Sequence, residues 1–144
     1  MKRVLFLCTG NACRSQMAEG WAKTLLAGKV EAFSAGTRPE REVEARAVKV
    51  MAESGVDISG QKPKSLEIFK GDDFDLVVTL CDNAREACPV YWGKAEKIHS
   101  GFSDPVASAE KGAPEEEIMA HYRRVRDGIR DFIKKLPEIM EGME

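Results

Sequence analysis

Residues 1–144 read as one α/β domain on three grounds. Short β-prone runs alternate along the chain with segments of helical period. One run, residues 76–80 within "DFDLVVTLC", is almost entirely apolar, as in a strand buried on both faces of a parallel sheet covered by helices. A chain of 144 residues with 43% apolar content is also long enough for one real core, and no linker, repeat or low-complexity tract divides it. The order is strand, helix, strand, helix, strand, strand, helix, joined by right-handed crossovers.

The first strand is "RVLFL", residues 3–7, and a Gly/Asn turn follows it directly. Ser15 is placed to cap a helix over "QMAEGWAKTLLAG", with Met17, Ala18, Trp21 and Leu25 as its apolar stripe. Gly20 weakens that helix slightly and Gly28 is placed to stop it. "KVEAFSAG" is a second strand closed by Gly36. "EVEARAVKVMAESG" is a helix with Val43, Ala47, Val50 and Met51 on one face and Gly55 as its stop. In the loop "VDISGQKPKS", Ser65 can cap a short helix near Leu66–Phe69. After the central strand comes a shorter final one, "KAEKIHS". Pro114 then opens a long amphipathic helix carrying Ile118, Tyr122, Val125, Ile129, Phe132, Ile133 and Leu136, and Pro137 is expected to end it.

Bulk charge narrows the function classes. Net charge is -2 with 32% charged residues, so neither a nucleic-acid footprint nor a polybasic membrane patch shows in the total. "MKRVLFLC" is too short for a signal h-region and lacks a small-residue cleavage site, and no segment approaches about 18 apolar residues. Four cysteines without an export signal favour free, reactive or metal-binding thiols in a reducing cytoplasm over a disulfide framework.

Ligands of such folds bind at the C-terminal ends of strands, which here gather Cys8, Cys81 and the loop after His99. The run "CTGNACRS" leaves a buried strand and enters a helix, so its N–H groups and the positive helix end face one small volume. Gly10 allows a tight bend and Asn11 tolerates an unusual dihedral. The N–H groups, the helix end and a nearby guanidinium all favour thiolate over thiol at Cys8. Arg14 offers a planar fork for two oxygens of a tetrahedral oxyanion, and the Ser15 hydroxyl can donate to the sulfur. The pattern suits a cysteine nucleophile in a cradle for phosphate or something of its shape, formed by Thr9, Gly10, Asn11, Ala12, Cys13, Arg14 and Ser15. The plain alternative is that Cys8 merely ends a buried strand. A nucleotide P-loop fits poorly, because no Gly-Lys-Ser/Thr closes the loop.

"CTGNACRS" resembles the Cys-x5-Arg-Ser signature of the low-molecular-weight tyrosine phosphatase fold, which phosphatases share with thioredoxin-coupled arsenate reductases. The resemblance covers essentially the whole chain. It implies a four-stranded parallel sheet with helices on both sides, a three-layer sandwich. The signature alone does not separate the two activities.

"VVTLCDNAREACP" bears on that choice. Reducing a pentavalent oxyanion to a trivalent one takes two electrons, so a second thiol must attack the first thiol's adduct. Cys88 lies seven residues beyond Cys81, about two helical turns, which is too far for a disulfide across an intact helix. Such a bond requires the polar "DNAREA" segment to unwind or loop out. The segment resembles the redox cassette of thioredoxin-coupled arsenate reductases, from "VTLC" to "CP". That resemblance implies that Cys8 attacks arsenate, Cys81 resolves the adduct, and Cys88 takes over the disulfide and presents it to thioredoxin. Cys13 matches a further family cysteine outside the relay. Two inert buried thiols are the plain alternative for Cys81 and Cys88, and a four-cysteine zinc site fits poorly beside Arg14.

An acid near Cys8 would speed loss of the oxygen leaving group, and Asp104 in "GFSDPV" is the candidate. Asp-Pro is also a common turn pair, but its place matches the family's general acid. Val106, Ala107 and Ser108 follow instead of the aromatic residues with which phosphatases of this fold clamp a phenyl ring, which suits a small inorganic substrate. Neither His99, at a strand end, nor His121, on the long helix at a surface or edge, reads as a ligand. No tightly bound cofactor is implied, except that some reductases of this type hold a potassium ion. Asn11, Glu19 and Ser34 match its ligand positions, while the remaining ligand region reads "GQKPKS". The partners implied are arsenate, with phosphate or sulfate able to occupy the loop, and thioredoxin. The rival readings are a low-molecular-weight protein tyrosine phosphatase and a non-catalytic redox or oxyanion-binding regulator.

Overall fold

The structure, a computed structural model, describes residues 1–82 and 94–143. Among the described residues the elements are β1 (Lys2–Cys8), α1 (Arg14–Leu25), β2 (Val30–Gly36), α2 (Ala45–Glu53), a 3₁₀ helix (Leu66–Phe69), β3 (Leu76–Thr79), β4 (Glu96–His99), α3 (Val106–Glu110) and α4 (Glu115–Glu141). The four strands form one all-parallel sheet in the order β2-β1-β3-β4. The α/β class and the parallel sheet are therefore as expected.

Alternation along the strands divides the core into two layers. Val4, Phe6, Leu76 and Val78 face the cluster built by α1, α2 and α4, which contains Met17, Trp21, Met51, Ile129 and Ile133. Leu5, Leu7, Ala35 and Val77 face the opposite side, under Phe69 of the 3₁₀ helix and Phe74. β1 is buried on both faces, which explains why its run reads apolar without alternation. On the second face Phe33, Phe69 and Phe74 meet edge to face at 5.6–5.7 Å, and the Arg3 guanidinium caps Phe33 and Phe74 at 4.8 and 4.9 Å.

Several elements differ from expectation. α1 begins at Arg14 with Cys13 at its N-cap position and no side-chain cap, so Ser15 lies inside the helix rather than capping it. Leu25 is at the helix end and exposed, and Leu26 takes the buried place beyond it. Gly20 does more than weaken α1: a Cβ there would stand 2.5 Å from Ile58 Cγ2, so the missing side chain lets the 56–58 segment pack closely. Pro137 does not end α4. Leu136 and Met140 on either side of it stay buried, and that packing carries the last turn past the missing N–H to Gly142. The short α3 follows Pro105 directly and was not anticipated.

Candidate active site

Cys8 ends β1 in register with Gly36 of β2, with β3 on its other side. Asn11 sits in the left-handed region at φ 49°, so the strained corner of the following loop falls on Asn11 rather than Gly10. Gly10 instead makes room for the Glu40 side chain, 3.2 Å from where a Cβ would be. Three loop carbonyls are taken from one side: Thr9 O accepts from Arg38 N, Gly10 O from Glu40 N and Ala12 O from Glu44 N, at 2.8–2.9 Å. In a trans peptide the next N–H points the opposite way, so those of Gly10, Asn11 and Cys13 point away from the 38–44 segment. The first N–H groups of α1 have no intrahelical acceptor and add to that set. The loop is thus a built cradle for an anion.

A directed hydrogen-bond chain sets the polarity around Cys8. Asn11 Oδ1 accepts from Gln16 Nε2 at 3.0 Å and from Lys64 N at 2.8 Å, which fixes the amide so that its Nδ2 donates to Ser15 Oγ at 2.7 Å. Gln61 Nε2 holds Gln16 Oε1 at 2.7 Å, orienting the second amide in turn. With its oxygen accepting from Asn11, Ser15 has its own proton to give to Cys8 Sγ, 2.8 Å away. The chain Gln61, Gln16, Asn11, Ser15 ends on a hydroxyl aimed at the sulfur. All of this lies inside the fold: Cys8, Asn11, Arg14, Ser15 and Gln16 are buried.

Arg14 ties the loop to the segment after β4. Its Nη1 donates to Phe102 O at 3.1 Å and its Nη2 lies 3.8 Å from Asp104 Oδ2. Asp104 Oδ1 accepts from Val106 N at 3.0 Å, and the carboxyl is one-third exposed. A cleft of about 780 Å³ opens here, lined by the loop, Asp104, Val106 and the segment carrying Arg38, Glu40 and Arg41. None of its described lining residues is aromatic. Cys13 lines it too, and burial pushes its thiol well above the usual range. The Tyr122 hydroxyl is likewise pushed up by burial, helped by Cys13 and Glu44.

Cys81 lies just beyond β3 and is fully buried. It is disulfide-bonded, while Cys8 and Cys13 are free thiols. Cys88 also lies outside the described residues. Leu80 N donates to Leu7 O at 2.9 Å, so the pairing of β1 and β3 continues to the site. Cys8 and Cys81 thus leave neighbouring strands at the same end of the sheet.

Of the residues expected to hold potassium, Glu19 and Ser34 meet directly and Asn11 is joined to Glu19 only through Lys64, and these surroundings do not fit such an ion. Glu19, buried in α1, accepts from Ser34 Oγ and from the Lys23 ammonium at 2.5 Å each, and the Lys64 ammonium lies 3.7 Å from Oε1. The Asn11 carbonyl oxygen is already held by Gln16 and Lys64. Two ammonium groups supply the positive charge that a cation would bring. Among the described residues no group of three or more His, Cys, Asp or Glu could hold a metal ion.

Three residues of the site, Gly36, Gln16 and Gln61, give no local signal in the sequence. Gly36 had seemed only a strand end, yet a Cβ there would meet Thr9 O at 2.5 Å and Cys8 O and Asn11 N at 3.0 Å. Gln16 and Gln61 carried no local signal, because the amide chain forms only when residues 45 apart in sequence meet.

The family model described as low molecular weight phosphotyrosine protein phosphatase matches residues 3–142. The chain belongs to that family. Within the family, an arsenate reductase of Halalkalibacterium halodurans is 46% identical over 137 residues, 95% of this chain and 96% of that protein. A solved arsenate reductase in the phosphate binding state superposes with a TM-score of 0.75 at 37% identity, covering 97% of this chain and 99% of the other. A low molecular weight protein tyrosine phosphatase from T. tengcongensis gives 0.70 at 31% identity, covering 96% and 99%.

Proposed function

We propose that this chain reduces arsenate to arsenite through a relay of Cys8, Cys81 and Cys88, with a thioredoxin-type dithiol as final reductant. The reading rests on one observation above all: a free thiol under an oxyanion cradle at the end of β1, beside a disulfide-bonded cysteine at the end of the neighbouring β3. Similarity to arsenate reductases over nearly the whole chain supports it.

The cradle and Arg14 hold arsenate, and Cys8 Sγ attacks arsenic(V) to form an S–As bond. One arsenate oxygen leaves as water, taking a proton from Asp104. The Cys81 thiolate then attacks Cys8 Sγ. An S–S bond forms, the S–As bond breaks, and its electron pair stays on arsenic, which leaves as arsenite(III). Cys88 attacks Cys81 Sγ, returning Cys8 as a thiolate and leaving a Cys81–Cys88 disulfide for the external dithiol.

A second reading, phosphomonoester hydrolysis, is favoured by the family's own description, and Cys8, Arg14 and Asp104 suffice for it. The described lining of the cleft carries no aromatic residue to clamp a phenyl ring, which favours a small inorganic substrate over an aryl phosphate. The test is NADPH consumption with arsenate, thioredoxin and thioredoxin reductase, for wild type and C88S. Arsenate-dependent consumption that disappears in C88S supports the relay. No consumption alongside rapid aryl phosphate cleavage would replace it with the phosphatase.

A further inference from the structure

From the sequence, His121 reads as a surface or edge residue of the long helix rather than a ligand. Its ring instead sits between two serines that bracket Asp104: Nε2 lies 2.7 Å from Ser103 Oγ, and Nδ1 lies 2.6 Å from Ser108 Oγ. Ser103 is the residue before Asp104, and Ser108 lies in α3, the short helix that Asp104 itself starts through its bond to Val106 N. One imidazole therefore spans the acid-bearing turn from both sides.

The same stripe of α4 holds the turn at a third point. Residues 121, 125, 128 and 132 recur at helical spacing and share one face. Phe132 meets Phe102 edge on at 6.4 Å, and Phe102 lies over Gly128, where an added Cβ would stand 3.2 Å from its ring. Phe102 is also the residue whose carbonyl oxygen Arg14 grips. Asp104 thus sits on a turn clamped between Arg14 on the site side and α4 behind it.

Building on the reading of Asp104 as the acid, we propose that His121 is a positioning residue: through Ser103 and Ser108 it holds the Asp104 carboxyl over the oxyanion cradle. Ring shape and hydrogen bonding can be separated here. Phenylalanine keeps the ring and loses both bonds. Glutamine places a polar atom near the former Nε2 and keeps a partner for Ser103. Misplacing a catalytic group by about 1 Å can cost about 100-fold, so losing the clamp while the Arg14 and Val106 contacts remain should cost about tenfold.

The experiment is a single turnover of fully reduced full-length enzyme, following thiol loss against arsenate concentration, for wild type, H121F, H121Q, D104A and H121F/D104A, with melting temperatures measured alongside. The clamp predicts that H121F slows the saturated rate about tenfold with half-saturation changed less than twofold. It also predicts that H121Q recovers most of the rate, and that H121F costs nothing further in the D104A background. D104A at the wild-type rate would overturn the acid assignment and the clamp together. A slow D104A with H121F at the wild-type rate would overturn the clamp alone. Equal losses from H121F with and without Asp104 would also overturn it, as a merely structural role would give that pattern. If H121F does not fold, the S103A/S108A pair decides: a rate loss from it that appears only in enzymes retaining Asp104 supports the clamp, and its absence overturns it.

Discussion

Replacing Gly36 with alanine is the sharpest steric test of the cradle. The new methyl would point into the loop, 2.5 Å from Thr9 O and 3.0 Å from both Cys8 O and Asn11 N. All three are backbone atoms of the oxyanion loop, so no side chain can swing aside, and the loop must move by about 0.5–1 Å to restore ordinary contact. Alanine would stiffen the unfolded chain and so stabilise by about 0.4–1 kcal/mol, but overpacking a closed site costs about 1–3 kcal/mol. The steric effect wins, leaving a net loss of about 1–2 kcal/mol, or a melting temperature lower by about 3–8 °C for a domain of this size. Function should suffer more than stability, since a cradle displaced by about 1 Å loses about 100-fold in turnover. Calorimetry and arsenate turnover would read the two effects, with phosphate titration reporting the cradle directly. Gly60 is the control, because a Cβ there meets nothing within 4 Å and G60A should behave as wild type. A G36A enzyme with wild-type melting, phosphate affinity and turnover would refute the placement of the loop against β2.

Two other predictions concern charge. Because Lys23 and Lys64 already sit on Glu19, replacing sodium with potassium chloride at constant ionic strength should change arsenate turnover less than twofold; a larger potassium-specific activation would contradict the ammonium arrangement. The Arg123 guanidinium, with Arg126 beside it, holds the Glu53 carboxyl at about 2 against an ordinary 4.5. A depressed folded pKa contributes stability that is present above 4.5 and lost as pH falls toward 2. The melting difference between wild type and E53Q should therefore shrink across that window, and a difference independent of pH would refute the pairing.

Where the sequence was legible, the information was local. The cradle could be read because strand, turn and helix follow within fifteen residues, and the polarity of "CTGNACRS" has few structural solutions. The buried face of α4 could be read because one period holds for about five turns, from Ile118 to Leu136. What escaped depends on partners distant in the chain. At Ser15 only the cap fails, because α1 already starts at Arg14, while its hydroxyl meets Cys8 as the sequence leads one to expect. Gly36 looked like a strand end until its register with Cys8 placed it against the loop. Pro137 looked like a stop because its local effect is to break a helix, and the burial of Leu136 and Met140 outweighs that effect. His121 carried no signal of its own, as its role needs two serines that meet it only when α3 folds against α4.

The relay itself is tested most directly by trapping its first disulfide. Reduced C88S enzyme mixed with arsenate, acid-quenched and mapped by mass spectrometry, should accumulate a Cys8–Cys81 disulfide with one arsenite released per chain. Free thiols at both positions after arsenate exposure, or a disulfide joining Cys8 to Cys13 instead, would contradict it.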